Sequence, residues 1–419
     1  MPVQVYKAPS GLKEFRREVV EARRETILDY VEKVKPIVND VAAKGYEAVR
    51  KYSEELDGVS LDNPVISKQD ARAAFEDLPG NIQQAFRIIA DSLWRFHSSS
   101  KPPETWVPGA RLVWAPLKKV GVYAPGGKHP YPSTVLHTVI PARAAGVLEV
   151  AVATPPCGKC GKWPVNQLML AAAYVAGADK VYAIGGAQAI AAMAYGAKPV
   201  EEVDIIVGPG NFYVQAAKLL VSGIVGIDMI AGPTELAVVA DETADPTRIA
   251  WDMLAEAEHG PLSVAVLFTD NENLGEEVAN IIEKEMKGDN ELGVISIVIS
   301  EDINQAISLA DEMAAEHLVA YLSRENRERI LANPPRAGII SIGIPPALLD
   351  YAYGPSHVLP TNGAARWRGG LSVIDFTRLV TIAEGEPASE LVQASILLAR
   401  LEGFENHAKS LENLQIGEG

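Results

Sequence analysis

Val120-Gly121-Val122-Tyr123-Ala124-Pro125-Gly126-Gly127-Lys128-His129-Pro130-Tyr131-Pro132-Ser133-Thr134 runs from a short apolar stretch into a loop of glycine and proline. An apolar run without polar alternation suits a strand buried on both faces. Gly and Pro then stop it, and Ser133-Thr134 offers an N-cap for a helix over 135–145. The pattern recurs downstream. A strand over 149–154 precedes a helix over 166–176. A strand over 181–184 meets Gly185-Gly186 and a helix over 187–195. A strand over 205–207 meets Gly208-Pro209-Gly210-Asn211 and a helix over 213–221. Such βαβα alternation predicts a parallel sheet covered on both faces, hence an α/β fold. Ligands of these sheets gather beyond the strand carboxyl ends, where the Gly-rich loops 125–127, 185–188 and 208–211 fall. None of the three is a G-x-G-x-x-G, and no P-loop Gly-Lys-Ser/Thr is present. Each reads either as a tight turn or as a backbone approach to a phosphate.

A second α/β region follows. It has strands over 236–240, 263–268, 293–299 and 337–342, and helices over 246–259, 274–286 and 303–315. The first hundred residues read as helical. One run covers 12–56, with Pro36 kinking or restarting it and Asp57-Gly58 closing it; another covers 67–97, broken at Pro79-Gly80. Residues 384–413 are helical again.

The chain has 419 residues, enough for two or three domains at about 150 residues each. It is 48% hydrophobic and 22% charged, which allows a large core. A net charge of -16 opposes nucleic acid and anionic membranes as partners. No run approaches the ~20 apolar residues of a membrane span, and Met1 to Arg17 carries no signal-peptide core. A cytoplasmic enzyme or binding protein is expected. Cys157 and Cys160 form one CxxC, half of a zinc site or a redox pair. A second cysteine pair is missing from the chain, so this reads as an incidental loop feature.

The stretch Asp350-Tyr351-Ala352-Tyr353-Gly354-Pro355-Ser356-His357-Val358-Leu359-Pro360 holds an acid and an imidazole in a loop shaped by Gly and Pro. It is either a surface turn or a site loop. Glu256 and His259, three apart on a predicted helix, share a face in a familiar metal-ligand spacing, though surface pairs of this kind are common. Asp350 offers a further oxygen, and His357 or His407 a further nitrogen; such a set suits Zn²⁺ or Mn²⁺. Glu316-His317 lies at a helix-to-strand switch. It reads as an acid/base pair or as an exposed helix end. His97, His129 and His137 read as structural or exposed, and Trp94, Trp106 and Trp114 as core or rim.

Together these segments closely resemble the histidinol dehydrogenase family. The resemblance rests on Gly121 to Gly127 with Tyr131-Pro132-Ser133, Gly185-Gly186-Ala187-Gln188-Ala189, Gly208-Pro209-Gly210-Asn211, Ala231-Gly232-Pro233-Thr234-Glu235, Ala257-Glu258-His259, Glu316-His317-Leu318, and Asp350 through Thr361. They stand in the family's order and, with Glu402 and His407, cover about two thirds of the chain. The resemblance implies oxidation of L-histidinol through L-histidinal to L-histidine with two NAD⁺. It implies one zinc per subunit held by Glu256, His259, Asp350 and the partner's His407, anchoring the substrate through its amino and imidazole nitrogens. Glu316 and His317 are then the acid/base pair, with His317 taking protons from the alcohol and the hydrate and Glu316 activating water. Thr234, Tyr351, His357 and Glu402 contact substrate; Tyr123, Gln188 and Asn211 contact NAD⁺. The implied architecture is two incomplete Rossmann-like domains with small N- and C-terminal helical pieces in an intertwined homodimer with shared sites. Its parts are an N-terminal segment 1–22, a first α/β domain 23–117 plus 237–370 with most of the zinc and catalytic site, an NAD-binding α/β domain 118–236, and a C-terminal piece 371–419 serving the partner's site.

Two departures bear on the pocket. The family usually has Gln where this chain has Glu256; with Asp350, two carboxylates then neutralise Zn²⁺, which implies tighter metal binding and a weaker Lewis acid. Pro355-Ser356 precedes His357 where Ser-Asn or Thr-Asn is frequent. They keep open a paralogue that oxidises another small polar alcohol, such as a sulfonated diol. A non-catalytic metal- or nucleotide-binding dimer is the other alternative, and the Glu316-His317 pair argues against it.

Overall fold

The computed structural model describes residues 3–21, 27–126, 129–286 and 292–414. Gly127 and Lys128 of the first Gly-rich loop, and the boundary expected at residues 22–23, lie outside them. A first six-stranded sheet orders Gln4–Lys7, Val294–Ile299, Val264–Thr269, Glu235–Ala240, His317–Tyr321 and Ile339–Ile342, all parallel. A second orders Val65–Ser67, Lys180–Ala183, Glu149–Thr154, Lys119–Tyr123, Ile205–Val207 and Gly226–Ile227. It is parallel except for its antiparallel edge strand Val65–Ser67. Thr105–Val107, Ala110–Pro116 and Thr377–Ala383 make a small antiparallel sheet.

Both large sheets are buried on both faces, as continuous apolar strands require. Val120, Val122, Val150 and Val152 enter one core of the second sheet, and Tyr123, Ala151 and Ala153 enter the opposite one. In the first sheet Ala237, Val239, Val266 and Phe268 face one core, while Leu236, Val238, Ala265 and Leu267 face the other. Among the described residues no helix is long and apolar enough to cross a membrane.

Several expectations change. The helix at Leu28–Lys44 continues through Pro36 without a restart and ends at Gly45, whose φ of 61° no side chain favours. Pro36 is exposed, so the carbonyl it leaves unbonded faces solvent, while Val34, Val38 and Val41 hold the buried stripe. The helix after the first Gly-rich loop is Pro132–Ala145, with Pro132 in its first turn and no side-chain cap from Ser133 or Thr134. The helix before His259 is Pro246–Ala257, so His259 lies beyond its end. Residues 28–99, expected to accompany 237–370, pack instead on the second sheet. Val34, Val38, Val41 and Val49 join Ile190 and Val214 on one face, and Phe75, Phe86 and Leu93 join Leu136 and Met169 on the other. Gln4–Lys7, within the first hundred residues read as helical, is an edge strand of the first sheet. Cys157 and Cys160 form a disulfide across a Cα separation of 5.5 Å.

Gly208 has φ 113°, and a Cβ there would collide with the Tyr123 carbonyl oxygen. Gly208→Ala should therefore cost at least ~2 kcal/mol of stability, seen as a lowered midpoint in urea unfolding. An unchanged midpoint would show that the loop moves aside freely.

Candidate active site

The second sheet presents its carboxyl ends, and with them Gly126, Gly185-Gly186 and Gly208 to Asn211, along one edge. The chemistry-bearing residues of the first sheet stand at its amino ends. Glu235–Ala240 and His317–Tyr321 are parallel neighbours, with Leu236 beside His317, so Thr234 and Glu316 just before them meet at the same edge.

Thr234 Oγ1 lies 2.6 Å from Glu316 Oε2 and also bonds Glu256 Oε1. One hydroxyl carries one proton, so it donates to a single carboxylate; the other carboxyl must itself donate to Oγ1. Glu316 is that group. Burial, reinforced by Glu256 and Asp350 against the opposing pull of His317, pushes its pKa up to about 8. The order is Glu316 O–H to Thr234, and Thr234 O–H to Glu256.

His317 Nε2 is 3.3 Å from Asp350 Oδ1. Burial opposes its charge, but the Asp350 carboxylate, with Glu256 and Glu316 behind it, outweighs burial and raises its pKa to about 9. Asp350 moves the other way: burial works against the carboxylate, and the His317 contact outweighs it and lowers the pKa. His357 Nδ1 is 2.8 Å from the Asp350 carbonyl oxygen, and burial lowers its pKa. His259 is exposed just past its helix. Tyr351 is exposed.

Both raised groups bind a proton more tightly in the folded chain than in the unfolded one. Their stabilisation is complete below the unfolded values and is lost as pH rises, from 4.5 to about 8 for Glu316 and from 6.5 to about 9 for His317. A tenfold difference in proton affinity between folded and unfolded chain is worth about 1.4 kcal/mol. Metal-free protein should therefore lose a few kcal/mol of stability between about pH 6 and 9.5 in urea unfolding. A flat profile over that range would contradict the assignment.

A cleft of about 360 Å³ joins the two sheets, lined by Gly210, Asn211 and Phe212 on one side and by Gly232 to Thr234 and His259 to Ser263 on the other. That volume suits a small ligand. Asn211 caps the helix Phe212–Val221, with Oδ1 accepting the Val214 N–H at 3.1 Å. Tyr123 is buried. Its hydroxyl accepts the Gly186 N–H at 3.1 Å, and burial pushes its pKa up to about 12. Gln188 is fully buried; its amide donates to Asp57 Oδ2 at 3.1 Å, and its Oε1 has no hydrogen-bond partner among the described residues.

Glu402 and His407 are not brought to this site. They are exposed around the C-terminal helices Ser389–Leu401 and Glu405–Glu412, which bury Val392, Ile396 and Ala408 against each other. Among the described residues no three His, Cys, Asp or Glu stand close enough to hold a metal ion. Glu256, His259 and Asp350 have the right donor chemistry, but the single chain does not gather them into a centre.

Three supporting groups carry little mark in the sequence around them. Asp57 pairs with Gln188 from a helix 131 residues away. Lys218 and Asp228 form a fully buried ion pair that holds Gly208 through its N–H at 2.7 Å and its carbonyl at 3.0 Å. His137 lies against His357. The one visible oddity among them is a lysine inside an apolar helix.

A family model described as histidinol dehydrogenase matches residues 20–413. The histidinol dehydrogenase of Sulfurisphaera tokodaii is 40% identical over 405 residues, covering 94% of this chain and 98% of that protein. That of Archaeoglobus fulgidus is 41% identical over 406 residues, again 94% and 98%. The crystal structure of histidinol dehydrogenase from Elizabethkingia anophelis superposes with a TM-score of 0.86 at 29% identity, covering 98% of this chain and 97% of that one.

Proposed function

The chain belongs to the histidinol dehydrogenase family, an oxidoreductase family of histidine biosynthesis, and from that premise we propose how its residues carry the reaction. L-histidinol, two NAD⁺ and water give L-histidine, two NADH and protons, through L-histidinal. The observation that carries this reading is the chain Glu256–Thr234–Glu316 beside His317–Asp350, opening on a cleft whose far wall is Asn211. His317 in its neutral form accepts the alcohol proton and later the hydrate proton. Glu316, deprotonated, takes a proton from the water that adds to the aldehyde. Thr234 keeps the Glu316 carboxyl aimed, and Asp350 orients His317.

Zinc and NAD⁺ are the groups these residues would serve. Glu256 is buried and Asp350 half-buried, and with Glu316 holding its proton these two carboxylates outnumber the one imidazole charge of His317, an excess that a cation would offset. Glu256, His259 and Asp350 would hold zinc, with His407 supplied by a second copy; zinc there supplies an anchor for the substrate nitrogens. NAD⁺ supplies the hydride acceptor, held on the edge where Tyr123, Gln188 and Asn211 stand. His357, Tyr351 and the second copy's Glu402 would bind the rest of the substrate. In this reading the two sheets act as Rossmann-like halves of a cytoplasmic homodimer. One Glu256 consequence is testable: Glu256→Gln should release zinc more readily to a chelator, and equal retention would refute the charge argument.

The deciding measurement is NADH formed per L-histidinol at limiting substrate in zinc-loaded protein. About two supports the reading. About one removes the hydration step from it, and none overturns it.

A further inference from the structure

We propose that His137 is a positioning residue that fixes the substrate loop from the helix it packs on, a role resting on the assignment of His357 to substrate. His137 sits on helix Pro132–Ala145 of the second sheet and is fully buried. Its ring stacks on His357 with centroids 4.2 Å apart and planes 9° from parallel. Its Nδ1 accepts the His357 backbone N–H at 3.1 Å, and its Nε2 lies 3.4 Å from the Tyr351 carbonyl oxygen. Its own carbonyl accepts the Ser356 hydroxyl at 2.9 Å, and that hydroxyl accepts the Val358 N–H at 3.2 Å. One side chain thus ties both ends of the 351–357 turn.

The hydrogen bonds assign the tautomers. An Nδ1 that accepts an N–H carries no proton, so the His137 proton is on Nε2, facing a carbonyl. His357 Nδ1 also faces a carbonyl, that of Asp350, so it is the donor. The His357 Nε2 is then left as an acceptor for an N–H or O–H of the substrate. Burial holds the His137 pKa well below 6.5, which keeps this pattern through neutral pH. A phenyl ring would reproduce the stack and leave the His357 N–H buried without an acceptor. An asparagine places an acceptor where Nδ1 stands but gives up the stack. Gly354, within the turn, packs so near Phe96 that a Cβ there would crowd it, so the turn has a firm back wall.

The test starts from wild-type turnover of L-histidinol; its absence is a failure of the functional reading and not of this one. His137→Phe should raise KM for L-histidinol by roughly ten- to a hundredfold, the effect of one unpaired buried donor, while KM for NAD⁺ stays within about twofold. His137→Asn should recover most of that loss. An unchanged KM for L-histidinol in His137→Phe, a parallel rise in both KM values, or no advantage of Asn over Phe would each overturn the proposal. Nitrogen-15 NMR of the metal-free wild type reads the same point without turnover and without a variant that folds. His137 Nδ1 should stay unprotonated and hydrogen-bonded from pH 6 to 8, and a protonated Nδ1 there overturns it.

Discussion

Glu316→Gln should give a protein that oxidises L-histidinol yet releases about one NADH per molecule, with histidine formation reduced by about 10²- to 10⁴-fold, the usual size of a lost general base. The amide fills the same space. Its N–H can donate to Thr234 Oγ1 as the protonated carboxyl does, leaving the Thr234 hydroxyl to donate to Glu256. The amide nitrogen gives up only the long 3.4 Å contact from the Glu235 N–H to Oε2, so the fold is preserved, and the pH dependence of stability contributed by Glu316 disappears. What the amide cannot do is accept a proton from water. The alcohol step, which uses His317, survives. A yield of two NADH with turnover close to wild type would show that the base for hydration lies elsewhere.

Two inactive variants should restore each other when mixed. His259→Ala removes a donor from the body of the subunit and His407→Ala one from the C-terminal helices, and each alone should reduce activity by at least about tenfold to a hundredfold. If the C-terminal piece serves a second copy, a mixed dimer has one site made from the intact body of one chain and the intact helix of the other. Random re-association should then recover about a quarter of wild-type activity, since about half of the dimers are mixed and each holds one good site. The helix pair suits that arrangement: it leaves Leu397 62%, Leu401 76% and Phe404 54% exposed in the single chain. No recovery on mixing would place His407 in its own subunit's site or outside the site altogether.

Local pattern carried much of the fold. Strands Glu149–Thr154 and Ile205–Val207 fall where the apolar runs place them, and Asn166 and Asn211 sit at the helix starts marked by their side chains. The small antiparallel sheet was invisible for an equally local reason. Ala110–Pro116 is half-buried nearly throughout and Thr377–Ala383 mostly exposed, so neither alternates. Pro36 does not end its helix because propensity yields to the buried stripe Val34, Val38 and Val41, and the stop is Gly45 with its positive φ.

Residue types and their order by themselves determined the α/β class and the family and nominated an acid, an imidazole and metal-type donors, because each of these is written in a few adjacent positions. Tertiary structure alone decided which of them meet. Thr234 reaches Glu256 across 22 residues and Glu316 across 82, and His137 reaches His357 across 220. It also decided that residues 28–99 clothe the second sheet, and that the amino edge of one sheet faces the carboxyl edge of the other. Those outcomes depend on which apolar faces bury one another and on how parallel strands align. Such contacts are set by the whole chain at once and leave no periodic mark in any short stretch of it.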